Sequence, residues 1–313
     1  LSALDSLWSW LILAGILVNA ASPPFGGWLP DAYPAASESG MVFLSAYTTK
    51  TSVYVLMVLF AGADILIYIG CAMAVYGIVY AILENDMRRI LAYSIVNQVG
   101  FMVCGVGIGT QMALNGAAAH AFAHIIYKAL LLMSAGSVMY MTGKRKCTDL
   151  GGLYRTMPIT MWCGIIGALA ISAFPLTSGF TTKSMITDAA AKGHHTIAWF
   201  TLMAASAGVF LHAGIKFPWF VFFQKDSGLR PPDPPIHMKA AMIIFSALCI
   251  LIGVYPEPLY QYLPFPAPEG EHLYHAYSFS HVIAQLQLLL FSGLAFFVLL
   301  PMLKRTLTIT LDF

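Results

Sequence analysis

The side chains in this chain that can carry a proton sit in its most apolar stretches. His120-Ala-Phe-Ala-His124-Ile-Ile-Tyr-Lys128 spaces three titratable groups four residues apart, which on a helix stacks them along one face. Lys50 and Lys183 occupy two further hydrophobic stretches. Imidazole takes up and releases a proton near pH 6.5. Burial disfavours the charged form of an amine, so a lysine in apolar surroundings exchanges its proton closer to neutral pH than one in water. Lys50, His120, His124, Lys128 and Lys183 thus have the types and spacing of a proton relay. Plainer readings stand beside it. The i, i+4 histidines could hold zinc, but no HExxH glutamate or third ligand accompanies them. They could also be core histidines bonded to backbone carbonyls, and the lysines could snorkel to an interface.

Such groups need rigid elements to hold them. Of the 313 residues, 59% are hydrophobic and 10% charged, with a mean hydropathy of +0.76. Soluble domains carry about 25% charged residues, so the composition excludes an ordinary water-soluble enzyme, a nucleic-acid-binding module and a disordered tail. Sixteen Lys+Arg against fourteen Asp+Glu indicates no polyanionic partner. Cys71, Cys104, Cys147, Cys163 and Cys249 form no CxxC or CxxH pair, so neither a disulfide framework nor a metal cluster is indicated. An all-α, polytopic transmembrane helix bundle follows, read as a single domain over 1–313 and needing no cofactor. The opening Leu-Ser-Ala-Leu-Asp and the closing Leu311-Asp312-Phe313 read as the ends of a fragment of a longer chain.

A crossing helix needs about 20 mostly apolar residues. Nine stretches qualify: 7–22, 37–60, 64–83, 90–109, 113–140, 158–190, 196–222, 239–255 and 280–303. The sixth is too long for one straight crossing, and Phe174-Pro175-Leu176-Thr177-Ser178-Gly179-Phe180 at its middle predicts a broken helix near 174–180. Irregular backbone at membrane depth survives only inside protein or along a wet cavity. Nine crossings put Arg88, Arg89, Lys144, Arg145, Lys146, Arg155, Lys225, Arg230, Lys239, Lys304 and Arg305 on one face, and Lys192 alone on the other. The opposite loop 256–279 carries Glu257, Glu269 and Glu271 without Lys or Arg. The positive-inside rule makes the basic face cytoplasmic.

Lys50, Lys128, Lys183 and Lys216 fall within the spans. A charge at mid-bilayer costs about 2.5–3.5 kcal/mol on insertion scales, so these side chains are expected to face the protein interior. His212 and Lys216 repeat the four-residue spacing and could extend the path. No Asp or Glu lies at the centre of a span; Glu38, Asp64 and Asp188 sit near span ends. Gly105-Val-Gly107-Ile-Gly109 lacks the strand a dinucleotide site requires and is read as close helix packing.

Four ordered motifs resemble a known family. Pro24-Phe-Gly-Gly-Trp28-Leu-Pro-Asp31-Ala-Tyr-Pro34 is similar to the PxHxWLPDA signature of the proton-conducting, antiporter-like subunits of respiratory complex I, membrane-bound hydrogenases and Mrp-type cation/proton antiporters. Asn85 to Ser94 resembles their D-[LIM]-[KR]-R-[LIV]-LAYS segment, His120 to Lys128 their central helix, and Phe174-Pro175 to Lys183 their broken helix. The wording around Trp28 and Lys50 is nearest to the D-type subunit of the Mrp-type antiporters. The resemblance implies an inverted-repeat fold of which this chain is the later part, with Lys50, Lys128 and Lys183 as buried lysines and His120 and His124 as central histidines. Asn19 stands where family members carry lysine, and Gly26 where the signature has histidine.

The implied function is proton translocation in a multisubunit Na+/proton antiporter of the bacterial inner membrane. Its partners would be other membrane subunits, protons, Na+ and the lipid bilayer, with no nucleic acid. The same machinery inside a complex-I-like NADH:quinone oxidoreductase or a hydrogenase is the alternative, the redox cofactors then lying in other chains. A structural scaffold with silent lysines is a third.

Overall fold

A computed structural model describes residues 4–265 and 273–301. Polar residues within apolar stretches decide which helix lies at the centre. The helix α5 (Met87–Ile108) carries Ser94, Asn97 and Gln98 and is buried along its whole length. Hydrocarbon cannot satisfy such groups, so they turn toward protein. Around it stand α3 (Glu38–Phe60), α4 (Ile65–Leu83), α6 (Gln111–Thr142), α8 (Ser178–Lys192) and α9 (Thr196–Val209), all packed against it. The outer elements are α1 (Leu7–Asn19), α2 (Trp28–Ala35), α7 (Pro158–Ile171), α10 (Ile236–Val254), the short α11 (Glu257–Tyr260) and α12 (Phe279–Leu299). Among the described residues, seven helices are long and apolar enough to cross a membrane, and α1 and α7 are shorter apolar helices. These nine match the nine stretches read from the sequence.

The tightest helix pair, α4 with α5, is set by small residues. A Cβ on Gly70, Gly77, Gly100 or Gly107 would fall 2.4–2.6 Å from backbone atoms of the facing helix. The glycines recur every seven residues on each helix, so the backbones touch along a continuous stripe. Gly107 belongs to the sequence's Gly-x-Gly-x-Gly run, which is a packing surface.

The break in the sixth span falls where expected. α7 ends at Ile171, α8 starts at Ser178, and Ala173 and Leu176 between them adopt positive φ of 56° and 70°. The 273–281 segment straps this turn down. The Tyr277 hydroxyl accepts from the Leu176 amide at 3.2 Å and donates to the Gly253 carbonyl, while His281 stacks on Phe180 with ring centroids 4.5 Å apart.

The basic face is also more structural than a set of loop charges. Arg88 and Arg89 begin α5 and are 2% and 9% exposed. Arg88 donates to the Ala36 and Ser37 carbonyls, both at 2.9 Å. Arg89 pairs with Asp31 at 2.8 Å and Glu84 at 3.0 Å. Asp86 accepts from the Arg88 and Arg89 amides as the N-cap of α5 and meets Arg145 at 2.6 Å. Burial pushes the Asp86 carboxyl above the usual carboxylate range, against the opposing pull of Arg145 and the two amides. These contacts gather the loops after α2, α4 and α6 at one end, which is the alternation that nine crossings require. Lys304, Arg305, Glu269 and Glu271 lie outside the described residues.

Candidate functional site

The relay candidates come from three helices that pack together, α3, α6 and α8. Lys50 is in mid-α3, 7% exposed, its Nζ donating to the Ser45 carbonyl at 2.7 Å and to Thr49 Oγ1 at 3.2 Å. His120, His124 and Lys128 lie along one face of α6 and are fully buried. The two imidazole rings are 6.4 Å apart. Among the described residues neither ring nitrogen of His124 has a hydrogen-bond partner, nor does Lys128 Nζ. Lys183, 2% exposed on the first turns of α8, holds its Nζ 4.4 Å above the Phe101 ring, also without a hydrogen bond. His120 and Lys183 share the Phe101 ring, at 6.3 Å between ring centroids and 4.4 Å from Nζ to the centroid, and Lys50 reaches the same interior from α3, which packs along α6. The structure brings all five predicted residues into one buried row. Snorkelling does not describe Lys50, Lys128 or Lys183. Among the described residues no three His, Cys, Asp or Glu side chains cluster to hold a metal.

His120 has the most specific surroundings. Its Nε2 faces Gln98 Oε1 at 3.1 Å and its Nδ1 faces Thr182 Oγ1 at 3.3 Å. The Thr182 hydroxyl donates to the Ser178 carbonyl, leaving its oxygen as an acceptor. Tyr127 donates to the same Gln98 oxygen at 3.1 Å, and Gln98 is fixed in turn through Asn97 to the Ala74 carbonyl. With two protons the ring finds an acceptor at each nitrogen; with one, on Nδ1, the bare Nε2 lies 3.4 Å from the Tyr127 hydroxyl, which is the donor available to it. Spacing in the sequence does not point to Gln98, Asn97, Tyr127 or Thr182; polar residues within a hydrophobic stretch are the signal that could have found them.

Lys183 also lines a partly open cavity of about 380 Å³ at the end opposite the basic face, with Asp188, Tyr274, His281 and Gln285. Asp188 accepts from the Tyr274 hydroxyl at 3.1 Å and forms no ion pair with Lys183 among the described residues. Burial pushes the Tyr274 hydroxyl above its ordinary value, so it remains a donor.

Lys216 behaves differently. α9 continues through two π-helical stretches, Phe210–Lys216 and Trp219–Phe223, with Pro218 between them. Wide turns of this kind recur at functional sites, and this one carries His212, whose Nδ1 meets the Gly208 carbonyl at 2.8 Å. Lys216 Nζ donates to the Ala81, Ile82 and Glu84 carbonyls at 3.2, 2.5 and 2.6 Å. All three of its donors are spent on the C-terminal end of α4, where a cation also meets the negative end of the helix dipole. Lys216 is an anchor for α4 and no part of the row. Lys216→Met should lower the thermal midpoint of the purified protein by removing about 1.5–3 kcal/mol, with proton transfer through the row largely kept.

The two departures from the family pattern also have a local form. Asn19 Nδ2 donates to Ser52 Oγ at 2.7 Å, reaching α3 near Lys50 without touching it. At Gly26 a Cβ would stand 2.2 Å from the Ala21 carbonyl oxygen. The turn after α1 closes too tightly there for any side chain, histidine included.

The helices and their buried row define an integral, multi-pass membrane protein with a line of protonatable groups through its interior. The chain belongs to the family described as NADH:quinone oxidoreductase/Mrp antiporter, transmembrane, whose profile matches residues 2–210. It is similar to the A/B component of a probable K(+)/H(+) antiporter of Rhizobium meliloti, at 30% identity over 79% of this chain and 26% of that protein. It is also similar to the N component of the NADH-quinone oxidoreductase of Desulforudis audaxviator, at 37% identity over 55% of this chain and 36% of that one. Among solved structures, a chain of the membrane-bound sulfane sulfur reductase, an archaeal respiratory membrane complex, superposes with a TM-score of 0.79 at 26% identity, over 96% of this chain and 54% of that chain. The chain thus spans about a quarter to a half of the length of these relatives.

Proposed function

We propose that the chain is a proton-translocating subunit of a multisubunit monovalent cation/proton antiporter, exchanging protons for Na+ or K+. It would sit in the bacterial inner membrane beside other membrane subunits, with its basic end cytoplasmic. The observation that carries this reading is the buried row of amines and imidazoles ending at a partly open cavity. Lys128 follows His124 one turn along α6 and Lys50 lies in the helix packed against α6, so a proton on either amine has an imidazole within the same interior to pass to. His120 follows on the same face of α6, with Gln98 and Thr182 as acceptors for its protonated nitrogens and the Tyr127 hydroxyl as donor to a bare Nε2. Lys183 is next and forms part of the cavity wall. The unpartnered nitrogens of His124, Lys128 and Lys183 are places where internal water would complete the path.

A second reading places the same row in a redox-driven complex, and the likeness to the sulfane sulfur reductase chain and the NADH-quinone oxidoreductase component favours it. Inverted membrane vesicles from cells expressing the full-length gene with its neighbours separate the two, with Lys183→Gln alongside wild type. Proton movement driven by added NaCl or KCl and lost in Lys183→Gln supports the antiporter. Acidification driven only by NADH or hydrogen and lost in the variant replaces it with the redox complex. An unchanged variant in both assays leaves a scaffold.

A further inference from the structure

Several donors on the wall of the cavity beside Lys183 are turned away from it. Ser184 Oγ donates to the Phe180 carbonyl at 2.7 Å and Thr187 Oγ1 to the Ser184 carbonyl at 3.0 Å. Gln285 Nε2 donates to the Ser172 carbonyl at 3.0 Å. His281 Nδ1 is 2.6 Å from the Ala276 carbonyl, so the neutral ring carries its hydrogen there and keeps a lone pair on Nε2. Tyr274 spends its hydroxyl on one oxygen of Asp188. What remains for an occupant is the Asp188 carboxylate among hydroxyl oxygens of Ser184, Thr187, Ser206 and Ser278, with one indole N–H from Trp199 beside them. The amine on this wall is Lys183, nearly fully buried and without a hydrogen bond.

A carboxylate ringed by hydroxyl oxygens favours a cation, and the ligand set decides which. Soft or multivalent metals want several carboxylates, imidazoles or thiolates, and no cluster of three such side chains occurs among the described residues. One carboxylate with neutral oxygens suits a single positive charge. A volume of about 380 Å³, at roughly 30 Å³ per water, leaves the ion room to keep much of its hydration. Two positive charges in so small a space repel each other, so an ion beside Asp188 and a proton on Lys183 oppose one another.

We propose that this cavity is a monovalent-cation site, with Asp188 supplying the charge, and that Na+ or K+ bound there competes with the proton on Lys183. The transport consequence rests on the antiporter reading; the binding does not. Because the ion stays largely hydrated, the site discriminates little between Na+ and K+.

Thermal unfolding of the purified complex containing the full-length chain tests binding directly, in NaCl, KCl or choline chloride at equal ionic strength. Wild type should gain stability in both alkali salts over choline. Asp188→Asn should lose that gain and Asp188→Glu should recover part of it. Thr187→Val, which removes one neutral oxygen, should weaken cation binding several-fold. In vesicles, Asp188→Asn should raise the cation concentration for half-maximal proton movement at least tenfold. No preference for alkali over choline in wild type, or an undiminished preference in Asp188→Asn, overturns the site. Alkali stabilisation without cation-driven proton movement keeps the site and overturns the antiporter reading. Cation-driven movement indifferent to Asp188→Asn does the reverse.

Discussion

Replacing Lys128 with methionine should reduce coupled proton movement by about 100-fold or more, while the protein still reaches the membrane and assembles. Lys128 is fully buried one helical turn from His124, and its Nζ has no hydrogen-bond partner among the described residues. Methionine fills nearly the same volume with a flexible apolar chain, so packing changes little. No buried hydrogen bond is broken, which removes the usual source of a large stability penalty. The loss falls on transfer, because a positioned acid–base group contributes typically 10²–10⁴-fold and methionine cannot hold a proton. Proton movement in inverted vesicles, normalised to the amount of variant protein, reads the effect. Normal assembly with movement within threefold of wild type would remove Lys128 from the path. Poor assembly would show the ammonium to be structural, as the three carbonyls around Lys216 make that lysine.

Much of this was legible because a membrane leaves few places for polar residues. Four-residue spacing puts His120, His124 and Lys128 on one helix face, and depth alone singles out Lys50 and Lys183. Pro175 and Gly179 marked the broken helix. Other features depend on contacts that one-dimensional patterning does not carry. Asp188 meets Tyr274 across 86 residues, so the cavity wall joins a helix end to what reads as an ordinary loop. The helix α2 is hidden because Trp28–Ala35 is only eight residues long and contains Pro34. The widened turns of α9 follow from register, which apolar residues do not report. Arg88 and Arg89 fall on the basic face read from the sequence, and their partners are carbonyls and carboxylates of neighbouring segments.

The largest effect on the fold should come from one methyl group at the broken helix. A Cβ on Gly179 would lie 1.9 Å from the Ala170 carbonyl oxygen and 3.1 Å from its carbon. The obstacle is the backbone of α7's last turn, so no side-chain rotation relieves it. α7 and α8 must separate, and the turn cannot yield because Tyr277 and Gly253 clamp it from outside. Overpacking a well-filled interior typically costs about 1–3 kcal/mol, and a clash with clamped backbone belongs at or above the top of that range. Against a total stability of about 5–15 kcal/mol, Gly179→Ala should sharply lower the amount of protein in the membrane. Any protein that folds should carry a displaced Lys183, and a shift of about 1 Å in a reacting group can cost 100-fold in rate. Gly15→Ala is the control: α1 has nothing within 4 Å of that Cβ, and alanine there gains about 1 kcal/mol of helix propensity. Membrane abundance and thermal midpoint of the two variants check the argument. Equal abundance and equal midpoints would mean that α7 and α8 do not meet at Gly179, and the placement of Lys183 on the cavity wall would fall with that contact.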